Sequence, residues 1–168
     1  MTPDKLVCFA HGKESGPWGI KIKHLAAIAR EQGFDVMSPD YSQSVDPDVR
    51  VSQLIGLAPK ARCLVLVGSS MGGYVSAMAC ETLRPTALML LAPALYFPGW
   101  DREPAGIPDL CAVVHGWGDE IVPYERGLRF ARRHKAALHL LDSDHSLNDK
   151  LPELGRIFAS VLEQAAVQ

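Results

Sequence analysis

The sequence predicts an α/β protein, a three-layer α/β/α sandwich around a mainly parallel sheet of about six strands. Three observations predict it. Short continuous apolar runs, each bounded by glycine or polar residues, recur along the chain, as expected of strands buried on both faces. Segments with helical spacing lie between most of them. The two signals alternate, which is the rhythm of parallel strands joined by right-handed crossovers.

The first strand signal is "LVCFA" at 6–10. The segment "GIKIKHLAAIAREQG" follows, with Ile22, Leu25, Ile28 and Ala29 on one helical face and Gly33 placed to end the helix. Further strand signals are "FDVM" at 34–37, "CLVLVG" at 63–68, "ALMLLA" at 87–92, "CAVVHG" at 111–116 and "ALHLL" at 137–141. A helix beginning "SMGGYV" stops before Pro85. Another, "YERGLRFARRHK", sets Leu128, Phe130 and Ala131 against an arginine-rich face, and "LPELGRIFASVLEQA" supplies a helix near the end of the chain. Residues 93–110 break the rhythm with four prolines, two glycines and three aromatics, and read as a long loop forming part of a pocket wall.

At 168 residues the chain suits a single domain spanning 1–168. Apolar residues make up 48% and charged residues 21%, with a formal net charge of −2. No basic footprint for nucleic acid is present. The first apolar run is broken at once by His11 and Gly12, so neither a signal peptide nor a membrane span is expected and the cytoplasm is the expected compartment. Cys8, Cys63, Cys80 and Cys111 stand far apart inside apolar segments. They read as buried thiols acting as small hydrophobes, without metal or redox spacing.

In an open parallel sheet, ligands gather at the carboxyl ends of the strands. After the third run comes Gly68-Ser69-Ser70-Met71-Gly72, a Gly-x-Ser-x-Gly pattern between a strand and a helix. The turn must be tight for the serine to stand clear of the sheet, and nearly bare residues are needed two positions before and after it. Only Ser70 fits that register. Its alternative role is a helix-capping or phosphate-binding serine.

A serine hydroxyl needs a base, and the base needs an orienting acid. Asp119 follows the fifth run in "HGWGDEIVP", and His145 follows the last in "DSDHS". His24, His134 and His139 sit inside helix or strand patterns; His11 and His115 end strands before a glycine and fit turn formation. Glu120 and Asp101 remain as alternative acids, whereas Asp142 and Asp144 are too near His145 and instead shape its turn. The oxyanion donors fall to the amide of Met71, after the serine, and that of Lys13, in "HGKESGP" after the first strand. Gly12, Tyr96, Phe97, Trp100 and Trp117 are the candidate substrate-binding residues.

"HGKESGP", "GSSMGG", "HGWGDEIVP" and "DSDHS" together resemble the α/β-hydrolase superfamily over nearly the whole chain, most closely small, capless bacterial serine esterases. The order Ser70, Asp119, His145 is the order of that fold's triad. The resemblance implies six parallel strands in spatial order 2-1-3-4-5-6 without a cap domain. It also implies hydrolysis through an acyl-serine intermediate. The expected substrate is a small ester or thioester, and no metal or organic cofactor is needed for that reaction. Composition points away from nucleic-acid and membrane partners, and the sequence does not reveal the oligomeric state. Lys13 departs from the bulky apolar residue common after His-Gly, and either selects acidic substrates or points into solvent. A peptidase or acyltransferase using the same residues, and a non-catalytic binding protein on the same fold, stay open.

Overall fold

The computed structural model describes residues 1–168. The elements run β1 (Lys5–Ala10), α1 (Ile20–Glu31), β2 (Asp35–Met37), α2 (Pro47–Leu57), β3 (Cys63–Ser69), α3 (Met71–Leu83), β4 (Ala87–Leu91), β5 (Leu110–Gly116), α4 (Tyr124–His134), β6 (Ala137–Leu141) and α5 (Leu151–Ala166), with a short 3-10 turn at Asn148–Lys150. All five strand pairings are parallel, in the order β2-β1-β3-β4-β5-β6. The fold is the one the apolar periodicity predicts, and the strand order the one the resemblance implies.

Alternation along the strands divides the core in two. Val7, Phe9, Val65, Val67, Met89 and Val114 face one side, where α1 and α5 cover them with Leu25, Leu154 and Phe158. Leu6, Cys8, Leu64, Leu66, Leu88 and Val113 face the other, beneath α2, α3 and α4. The expectation of strands buried on both faces holds for β1, β3, β4 and β5. It fails for β2 and β6, which are half-exposed because each pairs on one edge only.

Helix ends follow local chemistry. Gly33 takes φ +79°, and Phe34 N–H donates to Ala29 O at 3.0 Å, closing the end of α1 as predicted. Unforeseen by periodicity is α2. Asp46 caps it by accepting from Asp48 N at 2.9 Å, and Pro47 occupies its first turn. It buries only Pro47, Arg50 and Leu54, too little for a clear apolar stripe. All four cysteines are free and buried, and burial pushes the thiols of Cys8 and Cys111 up to about 12.

This winding positions a site. From β1 the chain passes to α1 on one face, and from β3 to α3 on the other. The loops after these neighbouring strands therefore diverge and leave a crevice between their carboxyl ends.

Phe158 is fully buried and its ring centroid lies 6.3 Å from that of Phe9. Phe158→Ala is expected to lose about 3–5 kcal/mol of stability, measured as a shift in the urea midpoint at unchanged slope.

Candidate active site

The β3–α3 turn holds Ser70 at φ 54°, ψ −118°, a region rarely occupied by a residue with a side chain. Neighbouring main chain pins it there. Ser70 N donates to Leu91 O, and Ser70 O accepts from both Gly73 N and Ala94 N, each at 2.9 Å. The glycines are needed for contact, as the spacing argued. A Cβ at Gly68 would overlap Gly72 O, and one at Gly72 would overlap Ala10 O. A Cβ at Gly73 would lie 2.8 Å from Pro93 Cβ. The elbow is thus pressed onto β1 and β4 at once.

Three loops bring Ser70, His145 and Asp119 together. Asp119 Oδ2 accepts from His145 Nδ1 at 2.7 Å. With that proton on Nδ1, Nε2 of the neutral ring is an acceptor, and Ser70 Oγ donates to it at 3.0 Å. The Asp119 side chain is fully buried, whereas that of His145 is 20% exposed. Oδ1 of Asp119 accepts from Ile121 N at 2.9 Å and Val122 N at 2.8 Å. Asp144 shapes the histidine turn as expected, accepting from Ser146 N at 2.9 Å. Lys21 Nζ, whose ammonium burial makes easier to deprotonate, ties α1 to the same turn by donating to Ser146 O at 2.6 Å.

His115 lies behind the acid, a role its place at a strand end did not reveal. Its Nε2–H donates to Val122 O at 2.9 Å and lies 3.2 Å from Asp119 Oδ2. Burial lowers its pKa and favours the neutral ring. Both oxygens of Asp119 are therefore supplied with N–H groups.

The crevice is a cleft of about 680 Å³ that Gly12, Lys13, Ser70, Met71 and His145 all line. Phe97 and Trp100, two of the candidate substrate-binding residues, also line it, together with Val45, Tyr74 and Ile121. Tyr96 and Trp117 do not reach it. Tyr96 is buried beneath its loop, donating through its hydroxyl to Glu103 at 2.7 Å with Arg129 stacked 3.8 Å from its ring. Trp117 lies edge-on against Tyr124 with centroids 4.9 Å apart, and is 54% exposed. Lys13 is an exposed residue at the mouth of the cleft. Met71, as the first residue of α3, places its amide at the positive end of the helix.

No family model matches the sequence, and no curated relative matches it. Solved structures do. A Xanthomonas campestris pv. campestris protein assigned to the hydrolases of the alpha/beta superfamily superposes with a TM-score of 0.86 at 28% identity, over 97% of this chain and 99% of its own. The chain is an α/β hydrolase by fold. Est1E from Butyrivibrio proteoclasticus is similar with a TM-score of 0.80 at 18% identity, covering 99% of this chain and 90% of that one. A lidless α/β serine hydrolase of Xanthomonas campestris is similar at 0.69 and 20% identity, covering 98% and 83%. With this α/β-hydrolase fold the chain has six strands and five helices, and no lid or cap lies over the cleft.

Burial of His115 is expected to make stability pH-dependent. Its pKa in the fold lies below the ordinary 6.5, so between the two values the unfolded chain binds the extra proton. Its contribution to stability is expected to be lost as pH falls from about 6.5 towards the lowered folded pKa. His115→Gln is expected to flatten that loss, as read from urea midpoints between neutral and mildly acidic pH.

Proposed function

We propose that this α/β hydrolase is a serine hydrolase that cleaves carboxylic ester or thioester bonds of small substrates through an acyl-serine intermediate. One observation carries the reading. The hydrogen bonds run unbroken from Ser70 Oγ to His145 to Asp119, and a neutral imidazole carrying its proton on Nδ1, beside Asp119, accepts the hydroxyl proton on Nε2. The similar lidless fold of a serine hydrolase supports it, as do Est1E, of which a ferulic acid complex is known, and an esterase from Pyrococcus furiosus.

In the proposed reaction, Ser70 Oγ attacks the carbonyl carbon while His145 Nε2 takes its proton. Asp119 holds the ring and stabilises the imidazolium that forms. The carbonyl electrons collect on oxygen, facing the amides of Met71 and Lys13, and each such donor is worth about 10²–10³ in turnover. As the carbon–oxygen or carbon–sulfur bond breaks, His145 returns the proton to the leaving group. Water then attacks the acyl-serine with His145 again as base, releasing the acid and restoring Ser70. The open cleft suits a small substrate, with Phe97 and Trp100 as an apolar wall.

Intact-mass measurement after exposure to a fluorophosphonate tests the reading. One adduct per chain, mapped to Ser70 and lost in Ser70→Ala and His145→Ala, is the expected result. Hydrolysis of a p-nitrophenyl ester should fall by about 10⁴-fold or more in Ser70→Ala. A folded chain that takes no label and turns over no ester or thioester across a range of acyl lengths overturns the proposal.

A further inference from the structure

Arg50, in the first turn of α2, is 1% exposed. Its guanidinium is aimed at main-chain carbonyls. Nη1 donates to Gly12 O at 3.0 Å, Nη2 to Lys13 O at 3.1 Å and Nε to Ser44 O at 2.7 Å. Charge-assisted bonds of this kind offset the cost of burying the cation. They also fix the direction of every peptide they hold.

A second donor converges on the same oxygen. His11 Nε2 accepts from Tyr41 N at 2.9 Å, which leaves the ring proton on Nδ1. That N–H donates to Gly12 O at 2.7 Å. The peptide unit is planar and trans, so the N–H of Lys13 points opposite to the Gly12 carbonyl, away from Arg50 and His11. That N–H makes no hydrogen bond within the protein, and Lys13 lines the cleft. A Cβ on Gly12 would lie 3.5 Å from Ser70 Cβ, and Gly12, Lys13 and Ser70 line the same space. Gly12 itself resists peptide rotation weakly because it has no side chain.

We propose that Arg50 is a positioning residue of the reaction: with His11 it locks the Gly12–Lys13 peptide so that Lys13 N–H faces the oxyanion formed at Ser70. This role rests on the serine hydrolase reading above. The bond that changes strength is Lys13 N–H to the substrate oxygen, which gains negative charge only after attack, so the clamp acts on kcat more than on KM.

The test compares the full-length wild type with Arg50→Met, Arg50→Lys and His11→Phe, using p-nitrophenyl acetate turnover, fluorophosphonate labelling rates and urea midpoints. Arg50→Met is expected to lower kcat by about 10- to 100-fold, up to the worth of one oxyanion donor, with KM within about two-fold and an unchanged pH profile. Arg50→Lys, retaining charge and one donor group, recovers part of the loss. His11→Phe removes the other donor to Gly12 O and gives a smaller loss of the same kind; it stands as the test should Arg50→Met fail to fold. Wild-type kcat in either folded variant, or a loss confined to KM, overturns the proposal. A wild type that neither labels at Ser70 nor hydrolyses ester overturns the hydrolase reading itself, and this role with it.

Discussion

The structure depends on the conformation forced on Ser70. Holding a residue with a side chain in so sparsely populated a region costs about 1–3 kcal/mol, and the surroundings must over-determine it. They do so by crowding: β3 and α3 meet so closely that a methyl group at Gly68 would overlap Gly72 O, one at Gly72 would overlap Ala10 O of β1, and Gly73 is pressed against Pro93. The sheet supplies the rigidity. Because β3 lies between β1 and β4, hydrogen bonds to Leu91 and Ala94 reach the strained residue from one side while the β1 loop abuts it from the other. Hydroxyl, helix N-terminus and β1 loop are thereby set around one point.

Around the site, buried charge is met largely by the main chain. Asp119 is buried with peptide N–H groups on one oxygen and two histidines on the other, so its charge is met by dipoles while Nδ1 of His145 keeps its proton. Arg50 is its converse, a buried cation surrounded by peptide carbonyls. Each fixes a loop whose own sequence, rich in glycine or short polar residues, has little reason to hold one shape.

Much of this was legible in the sequence. Buried parallel strands write themselves as continuous apolar runs, and the residues just beyond them are where an open sheet gathers its chemistry. With the Gly-x-Ser-x-Gly pattern and the chain order of its partners, those two facts single out Ser70, Asp119 and His145 while leaving Glu120 and Asp101 as alternative acids. Helix α2 was not legible because a polar helix with three buried residues has no stripe, although Asp46-Pro47 marks its start. Arg50 was hidden for another reason. Its partners are carbonyl oxygens, those of Gly12 and Lys13 nearly forty residues away, and every residue type carries one. Tyr96 and Phe97 show the limit of reading aromatics: of two adjacent rings only Phe97 lines the cleft while Tyr96 is buried, and the α4 arginines stacked on each lie some thirty residues on. The half-exposed β2 and β6 could be told from inner strands only by the pairing order.

The four thiols give the molecule a use unrelated to its chemistry. Being protonated and shielded from solvent, they are inert to reagents that attack thiolates until the sheet opens. They also sit on separate strands and on α3: Cys8 on β1, Cys63 on β3, Cys80 on α3 and Cys111 on β5. The order in which they become alkylated under mild denaturant would report which part of the sheet opens first, so the native chain carries its own probes of local unfolding without any engineered label.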